Sequence, residues 1–393
     1  MAEHNPNNDT RFKAFFFLNF LGNGVFIPYM GLFLMNKGFQ GAELGALMAV
    51  VPLVKIFAQT LWGYLSDLFQ IRRKVLALTL LALCAASALL MLGDSLVSML
   101  ALIVLYAVLD SAYIPLSNAL ALHHLERTGR ANHYGQYRLW GSIGFIISSL
   151  VIGFLFLDRL VAFLPLVYGL VMASAGLVAW LLPDTRSGAT GVNWLEGLKI
   201  VPRRPILAAF LLGAIFLGAV SGIMIQYVAV YLREIASPGW LIGVAIALQA
   251  VPEIPLMART NRIMQHFGMQ ASMAMGILAF PLRSLGYILI RSPFVVLPVQ
   301  LLHGVSMVSM LVVAPTFVNR LLPDEWKATG QGLYATAFSG IGMSAGLFAA
   351  GMIYEAAGIS AIWWFCIILS VVGMAIVLPA ARRVDLKAAD VSD

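Results

Sequence analysis

The sequence predicts an all-α integral membrane protein with twelve transmembrane helices, and three observations lead to this fold class. Of the 393 residues, 61% are hydrophobic and only 11% are charged, whereas a soluble domain carries about 25% charged residues. Twelve stretches are apolar over the roughly 20 residues that a helix needs to cross a bilayer. Runs such as 75–92 and 361–379 show none of the alternation that the strands of a membrane β-barrel require.

The twelve stretches define predicted helices 1 to 12. They cover residues 12–35, 42–65, 74–92, 96–122, 134–157, 161–182, 205–232, 238–260, 269–290, 292–319, 327–352 and 358–380. The first stretch lacks a small-residue cleavage site, so we expect it to be a retained helix rather than a signal peptide. Both cysteines, Cys84 and Cys366, fall in apolar helices, which argues against a disulfide framework or a metal cluster.

The positive charge of the chain predicts its orientation. Of the 25 Lys and Arg residues, 18 lie in the N-terminal segment, the even-numbered loops and the C-terminal tail. The odd-numbered loops hold only Lys37, Arg159, Arg233 and Arg291. By the positive-inside rule both termini are expected in the cytoplasm, with the protein in the plasma membrane, the inner membrane of a bacterium. The net charge of +7 therefore marks the cytoplasmic side, and no nucleic-acid partner is expected.

A polar interruption divides the chain into two sets of six helices. We expect an N-terminal bundle at 1–182, a cytoplasmic linker at 183–204 and a C-terminal bundle at 205–393.

A weak internal repeat supports two homologous halves. Val51-Pro52 on predicted helix 2 returns as Val251-Pro252 on helix 8, and Gly135-Gln136 on helix 5 returns as Gly330-Gln331 on helix 11. The offsets are close, and each match occupies the same place in the helix order. The sequence thus predicts two pseudo-symmetric six-helix bundles, which is the architecture of the major facilitator superfamily.

The loop between predicted helices 2 and 3 strengthens this assignment. Residues 63–73 read GYLSDLFQIRR, which resembles the Gly-x-Leu-Ala-Asp-Arg-x-Gly-Arg-Arg loop of that superfamily, with Gln70 in place of its second glycine. The glycine allows close approach of helices, and the acid pairs with a base or a helix N-terminus. The second-half copy has Gln265 in place of the acid, which favours a gating role over substrate chemistry. The predicted gating residues are Gly63, Asp67, Arg72 and Arg73.

Ionisable residues at membrane depth are the main candidates for a functional site. A charge at the bilayer centre costs at least about 2.5–3.5 kcal/mol, so each needs a partner, a cavity or a function. These residues are Lys55, Asp110, Glu253, Arg283 and His303, with Arg138 near the cytoplasmic start of helix 5. Polar residues on the same helix faces or on neighbouring helices include Asn19, Asn23, Tyr113, Gln226, Tyr227, Gln249 and Gln300. A shared water-filled cavity explains such stripes, and interhelical hydrogen bonds that only hold the bundle together are the alternative.

A string on helix 5 points to one branch of the superfamily. Residues 134–145, YGQYRLWGSIGF, resemble the signature of the branch that contains the lactose permease, the nucleoside/proton symporters and the phenylpropionate permease. Residues 115–121 are similar to the same branch. The resemblance implies that Arg138 contacts substrate and that Glu253 lines the cavity. It also implies that Arg283 and His303 take part in proton coupling.

One departure from the branch limits what the resemblance implies. The lactose permease has a glutamate three residues after the helix 10 histidine, where this chain has Ser306. Lactose specificity is therefore not expected, and Asp110 and Glu253 remain the two carboxylates that could carry a proton.

The predicted function is secondary active transport by alternating access, with a proton symported with a small polar or anionic solute. An aryl or organic acid, a nucleoside and a sugar all stay open. Arg138 and Lys55 are expected to hold the substrate, and Asp110 or Glu253 to carry the proton. The aromatic residues expected to stack on a ring of the substrate are Tyr113, Tyr227 and Tyr334. Proton-driven efflux of a sugar or a drug is the alternative.

Enzymatic function is not expected. The sequence has no His-Glu-x-x-His metal motif, no Gly-x-Ser-x-Gly elbow and no phosphate-binding Gly-Lys-Ser/Thr loop. We therefore expect no metal and no cofactor. The expected partners are the solute, the coupling proton and the lipid bilayer, and the expected state is a monomer.

Overall fold

The fold consists of helices throughout the part of the chain that is described. The computed structural model describes residues 6–130, 133–183, 201–290 and 292–389, apart from the side chains of Pro6, Asp67 and 383–389. Every regular element in these ranges is helical. Inside a membrane a helix satisfies all backbone hydrogen bonds within one segment, so apolar stretches of this length fold this way. The predicted all-α membrane fold is confirmed.

Six transmembrane helices, α1 to α6, form the first half. Their segments are Pro6–Phe26, Ile27–Tyr29 and Met30–Asn36 for α1; Gly41–Leu68 for α2; Arg72–Leu89 and Leu90–Leu92 for α3; Leu96–Asp110 and Tyr113–Arg127 for α4; Tyr134–Leu155 for α5; and Val161–Phe163 and Leu164–Trp180 for α6. The prediction started α1 at residue 12, but the helix extends back to Pro6 because the polar residues before the apolar run continue it.

The second half contains α7 to α12. The segments are Pro205–Glu234 for α7; Gly239–Ala250 at the start of α8; Glu253–Leu289, which is shared by α8 and α9; Leu297–Gln300, Leu302–Val308, Ser309–Val313 and Ala314–Leu321 for α10; Asp324–Trp326, Lys327–Ala335, Thr336–Gly342 and Met343–Ala357 for α11; and Ile359–Ala389 for α12. Two of these segments, Ser309–Val313 and Thr336–Gly342, are π-helical.

Helices α8 and α9 follow each other without a loop but separate at a kink at Gly268. Eleven stretches of the described residues qualify as membrane spans by length and apolarity, and one of them, Gly239–Leu289, has 51 residues. That is more than twice the length needed to cross the bilayer. Gly268 has φ 80° and ψ 167°, a conformation that glycine adopts without steric cost. The break falls between predicted helices 8 and 9, so the stretch contains both of them.

The helix packing repeats between the two halves. In the first half α1 packs against α5 and α6, and α3 packs against α6. In the second half α7 packs against α11 and α12, and α9 packs against α12. Each contact of the first set has its counterpart six helices later, as the internal sequence repeat predicts.

The described residues fall into two compact units. Unit 1 comprises Met1–Phe39, Val50–Gly191 and Pro238–Ala247, and unit 2 comprises Gln40–Ala49, Val192–Ser237 and Leu248–Asp393. The predicted division at 183–204 stays a prediction, because residues 184–200 of that linker lie outside the described residues.

Each unit contains a close approach between two glycines of different helices. In unit 2 a Cβ added to Gly45 would lie 2.6 Å from the Cα of Gly351, and in unit 1 a Cβ added to Gly153 would lie 2.6 Å from the Cα of Gly243. Both pairs therefore need glycine, since real Cβ atoms do not approach a neighbour this closely. The two contacts are related by the internal repeat, because Gly45 and Gly243 occupy equivalent places on α2 and α8.

Candidate functional site

The buried carboxylate of Asp110 is the centre of a polar cluster in unit 1. Asp110 ends the first segment of α4, and its side chain is fully buried. The Nζ of Lys55 on α2 lies 2.5 Å from Asp110 Oδ2, and the hydroxyl of Tyr168 on α6 donates to Oδ1. The structure thus brings together two predicted site residues from different helices and adds a tyrosine. Within this cluster the positive charge of Lys55 is neutralised by Asp110.

Aromatic rings pack around the tyrosine that donates to Asp110. The ring centroid of Tyr168 lies 5.8 Å from that of Tyr106 and 5.6 Å from that of Phe26. Asp110 has no exposed side-chain surface, so its attraction to Lys55 is stronger than that between two surface charges.

A second group of polar residues in unit 1 follows α1. Asn23 Oδ1 accepts a hydrogen bond of 2.8 Å from the hydroxyl of Tyr113. One turn earlier, both side-chain amide atoms of Asn19 are buried and have no hydrogen-bond partner among the described residues. The guanidinium carbon of Arg138 lies 3.9 Å from the centre of the Phe20 ring, a cation–π contact.

The second predicted carboxylate, Glu253, faces a histidine in unit 2. Glu253 Oε1 lies 3.6 Å from His303 Nε2, and Arg283 Nη1 lies 2.9 Å from His303 Nδ1. A guanidinium can only donate hydrogen bonds, so His303 Nδ1 must accept. His303 is therefore the neutral tautomer with its proton on Nε2, which is the nitrogen that faces Glu253. The structure thus brings three of the four predicted coupling residues into contact, in the order Glu253, His303 and Arg283.

A close approach of α10 to α8 brings His303 next to Glu253. A Cβ added to Gly304, the neighbour of His303, would lie 2.9 Å from the backbone nitrogen of Glu253. The absence of a side chain at Gly304 allows α10 to lie directly against α8 at Glu253. One turn earlier on α8, Gln249 Nε2 donates a hydrogen bond of 3.0 Å to Gln300 Oε1 on α10.

The remaining predicted substrate residues lie in unit 2 in two different settings. Gln226 Oε1 and the Tyr227 hydroxyl on α7 are buried without a hydrogen-bond partner among the described residues. Tyr334 on α11 donates to the backbone oxygen of Met310, in the π-helical segment of α10, at 2.7 Å. Its ring stacks between two phenylalanines, at 5.8 Å from Phe210 and 5.6 Å from Phe338. The ring and hydroxyl of Tyr334 are thus already engaged in unit 2, which gives no support to a stacking role with substrate.

The loop between α2 and α3 differs from the expectation at Gly63. A Cβ added there would meet no described atom within 4 Å, so the close helix approach expected at Gly63 is absent. Exposed side chains surround Gly63 on α2, because this end of the helix packs loosely. Arg73 Nη1 donates to the backbone oxygen of Leu182 at 3.1 Å, which ties the loop to the end of α6. Arg72 also has an interaction partner, and the side chain of Asp67 lies outside the described residues.

The backbone explains the glycine that the superfamily has where this chain has Gln70. Gln70 has φ 52°, in the left-handed region. A residue with a Cβ pays about 1–2 kcal/mol there, whereas glycine does not.

Replacing Gln70 by Gly is therefore expected to stabilise the protein by up to about 1 kcal/mol. A raised Tm of the purified protein in detergent is the readout. Gln70→Ala is the matched control, because it removes the same polar side chain and keeps the strain. An equal rise in both variants would contradict the explanation.

The comparison with known families decides the class of protein. The sequence model described as the MFS_1 like family matches residues 10–367. The chain belongs to the MFS_1-like family. It is a membrane transporter of the major facilitator superfamily and not an enzyme.

Curated relatives of this MFS_1-like protein have names that refer to two solute classes. The maltose permease of Geobacillus stearothermophilus is 29% identical over 383 residues, which cover 95% of each chain. The putative nucleoside transporter YegT of Escherichia coli K12 is 26% identical over 364 residues, which cover 86% of this chain and 82% of the relative.

Solved structures share the fold of the MFS_1-like chain. The crystal structure of the nucleoside transporter NupG matches with a TM-score of 0.83 and 17% identity, over 95% of this chain and 98% of that one. This similarity confirms the predicted twelve-helix architecture.

Three polar residues that hold the predicted groups were not among the predicted site residues. They are Tyr168 beside Asp110, and Tyr287 and Gln300, which lie near Arg283 and His303. The sequence placed Gln300 among the polar residues that share a helix face with an ionisable residue, here His303, but gave it no role in the site. Tyr168 and Tyr287 stand in apolar stretches and resemble core residues in the sequence of this MFS_1-like transporter.

A further cluster lies near the start of α1. Asp9 accepts a hydrogen bond of 2.6 Å from the Tyr137 hydroxyl and pairs with Arg130, and His124 Nε2 lies 3.8 Å from Asp9 Oδ1. The cluster joins α1 to α4 and α5 within unit 1. The described residues contain no group of three or more metal-binding side chains.

Proposed function

We propose that the protein is a proton-coupled importer of a neutral, hydroxyl-rich solute, either a sugar or a nucleoside. It works by alternating access as a monomer in the inner membrane of a bacterium. Both termini lie in the cytoplasm, which the distribution of Lys and Arg supports.

The names of the relatives support this solute class. One is a permease for maltose and another is a putative nucleoside transporter. Sugars and nucleosides share several hydroxyl groups on a ring and carry no net charge. A site with many hydrogen-bonding side chains and few unpaired charges suits both.

The pairing of cations supports a neutral solute over an organic acid. In the sequence, Lys55 and Arg138 suggest an anion site. In the structure Lys55 is 2.5 Å from Asp110, so its charge is already compensated. Arg138 lies over the Phe20 ring, and a guanidinium carries hydrogen-bond donors, which suit the oxygens of hydroxyl groups. We therefore assign Lys55 as the counter-ion of Asp110 and Arg138 as a donor to the solute.

Amide and hydroxyl side chains provide the remaining contacts with the solute. Hydroxyl groups both donate and accept, so amides are well suited to bind them. We assign this role to Asn19, Asn23, Tyr113, Gln226, Tyr227 and Gln249. Asn19, Gln226 and Tyr227 have buried polar atoms with no partner among the described residues, which solute hydroxyls can satisfy.

The surroundings of the two carboxylates decide which of them we assign as the proton carrier. Asp110 has no exposed side-chain surface, and its carboxylate is already engaged by Lys55 and Tyr168. Glu253 is partly exposed and faces the Nε2–H of neutral His303. A carrier must load and release a proton, so we assign Glu253 as the carrier. Arg283 and His303 set its surroundings.

An uptake assay with imposed pH gradients tests this function. Proteoliposomes with an alkaline interior are offered labelled maltose, uridine or benzoate, and protein-free liposomes measure passive entry. We expect uphill accumulation of maltose or uridine and no protein-dependent accumulation of benzoate. Accumulation of benzoate alone would contradict the solute class. Accumulation driven only by an acidic interior would establish antiport, the alternative.

A further inference from the structure

A network of hydrogen bonds leads from Arg283 back to the helix that carries Glu253. Arg283 Nη2 donates to the Tyr287 hydroxyl at 3.2 Å, and that hydroxyl donates to Gln300 Oε1 at 3.0 Å. Gln249 Nε2 donates to the same Gln300 oxygen at 3.0 Å. Gln249 and Glu253 are four residues apart on α8, so Arg283 is linked to α8 twice, through His303 and through Tyr287. We call the path Arg283–Tyr287–Gln300–Gln249 the amide arm.

The direction of every hydrogen bond in the amide arm follows from Arg283. A guanidinium has donors only, so the Tyr287 oxygen accepts and its proton turns to Gln300. With the hydroxyl proton on this side, Gln300 presents its oxygen to Tyr287, while its Nε2 is buried without a partner among the described residues. An amide that meets this oxygen must present nitrogen, so the orientation of Gln249 is fixed, although oxygen and nitrogen of an amide are otherwise hard to distinguish.

The fixed orientation leaves one end of the Gln249 amide available. Gln249 Nε2 is used by Gln300, while Gln249 Oε1 accepts no hydrogen bond from the described residues. This oxygen is not among the fully buried side-chain atoms that lack a partner, so it keeps accessible surface, and a solute hydroxyl can donate to it.

We propose that Tyr287 and Gln300 are positioning residues that turn Gln249 so that it offers a carbonyl oxygen to the solute. This inference rests on the proposed function, in which Gln249 contacts the solute. The amide arm makes Gln249 select for a donor, a hydroxyl or an N–H, at the position of the solute that it meets. The side chain that meets the solute is thereby oriented by the same arginine that sets the tautomer of His303.

Packing explains why Tyr287 can hold this orientation. Its ring centroid lies 4.6 Å from that of Trp363 on α12 and 5.3 Å from that of Tyr231 on α7. The hydroxyl is therefore held in place by ring contacts that a phenylalanine retains. Tyr287→Phe removes the two hydrogen bonds and keeps the ring.

Tyr231 offers a matched control. It lies in the same aromatic cluster, but its hydroxyl bonds the backbone oxygens of Tyr287 and Ile290 and no member of the amide arm through a side chain. Tyr231→Phe removes one tyrosine hydroxyl from the same region without touching the orientation of Gln249.

The first experiment is a double-mutant cycle on thermal stability, and it needs no solute. Gln300 Oε1 has two donors, so loss of either one leaves it bonded, and loss of both leaves a buried oxygen without a partner. The Tm of purified Tyr287→Phe/Gln249→Ala is expected to fall below the sum of the single changes by about 2 °C or more. The pair Tyr231→Phe/Gln249→Ala is expected to be additive. Additivity in both pairs would overturn the amide arm.

The second experiment measures selectivity for the solute. The Kd of the wild-type protein is compared for the transported sugar or nucleoside and for analogues that each lack one hydroxyl. At one hydroxyl we expect a preference of about tenfold for the parent. In Tyr287→Phe this ratio is expected to fall by about fivefold, and in Tyr231→Phe it is expected to stay. A merely structural role would weaken parent and analogue equally, so an unchanged ratio in Tyr287→Phe would overturn the inference.

Together the two experiments distinguish failure of the inference from failure of the proposed function. If the wild type binds no sugar and no nucleoside, the proposed function fails. The Tm values of the single and double variants then decide alone whether the amide arm exists. If the solute binds and the thermal cycles are additive, the inference fails while the proposed function stands.

Discussion

Replacing Glu253 by Gln is expected to abolish proton-driven accumulation of solute while solute exchange continues. The change removes the group that we assign as the proton carrier and keeps the size and most hydrogen bonds of the side chain. With one proton per solute, a gradient of one pH unit can sustain about a tenfold accumulation. In the variant the ratio of internal to external solute should approach one.

A matched control separates this effect from a general loss of charge. Glu126 on α4 is exposed and lies outside the assigned site, so Glu126→Gln makes the same chemical change elsewhere. It should accumulate solute as the wild type does. Uphill accumulation that persists in Glu253→Gln would rule out Glu253 as the carrier and return the assignment to Asp110.

Replacing Lys55 by Met is expected to cause the largest loss of stability, about 3–5 kcal/mol. Asp110 is fully buried, and Lys55 is its charged partner. Without the lysine, the fully buried carboxylate keeps the hydrogen bond from Tyr168 but has lost its charged partner. The loss appears as a lower Tm and a smaller folded fraction after extraction into detergent.

A double variant shows that the lost charge balance is the cause. Asp110→Asn in the Lys55→Met background removes the uncompensated charge and should recover most of the stability. Asp94→Asn provides a control, since Asp94 pairs with Lys37 at 2.9 Å but is largely exposed, and such pairs contribute at most about 1 kcal/mol. If the double variant is as unstable as Lys55→Met, burial of an unpaired charge is not the reason.

Much of the fold could be predicted from the sequence because the thickness of the bilayer sets both the length of each apolar stretch and the length of the helix that it forms. The boundary between α8 and α9 was predicted between residues 260 and 269, and the backbone breaks at Gly268. The π-helical segments of α10 and α11 could not be predicted, since they depend on contacts with neighbouring helices rather than on local hydropathy. The internal repeat predicted two pseudo-symmetric bundles, and the matching packing of α1 with α5 and of α7 with α11 agrees with it.

The candidate site could be predicted only in part. Scarcity of charge identified Lys55 and Asp110 as residues at depth, but the sequence does not show which faces of α2 and α4 meet. Their pairing, and the loss of Lys55 as a free cation, therefore came from the structure. The tautomer of His303 likewise depends on a contact with Arg283, twenty residues away in the chain. Tyr287 was missed because an aromatic residue in an apolar helix is typical of a core.

The most direct test of the central claim is to record the pH outside proteoliposomes while solute is added without an imposed gradient. The claim is that Glu253 carries a proton inward with a neutral sugar or nucleoside. Adding the transported solute to wild-type proteoliposomes should make the external medium more alkaline, and Glu253→Gln should abolish this signal while labelled solute still equilibrates. Entry of solute with no change of pH, or with acidification of the medium, would contradict the claim.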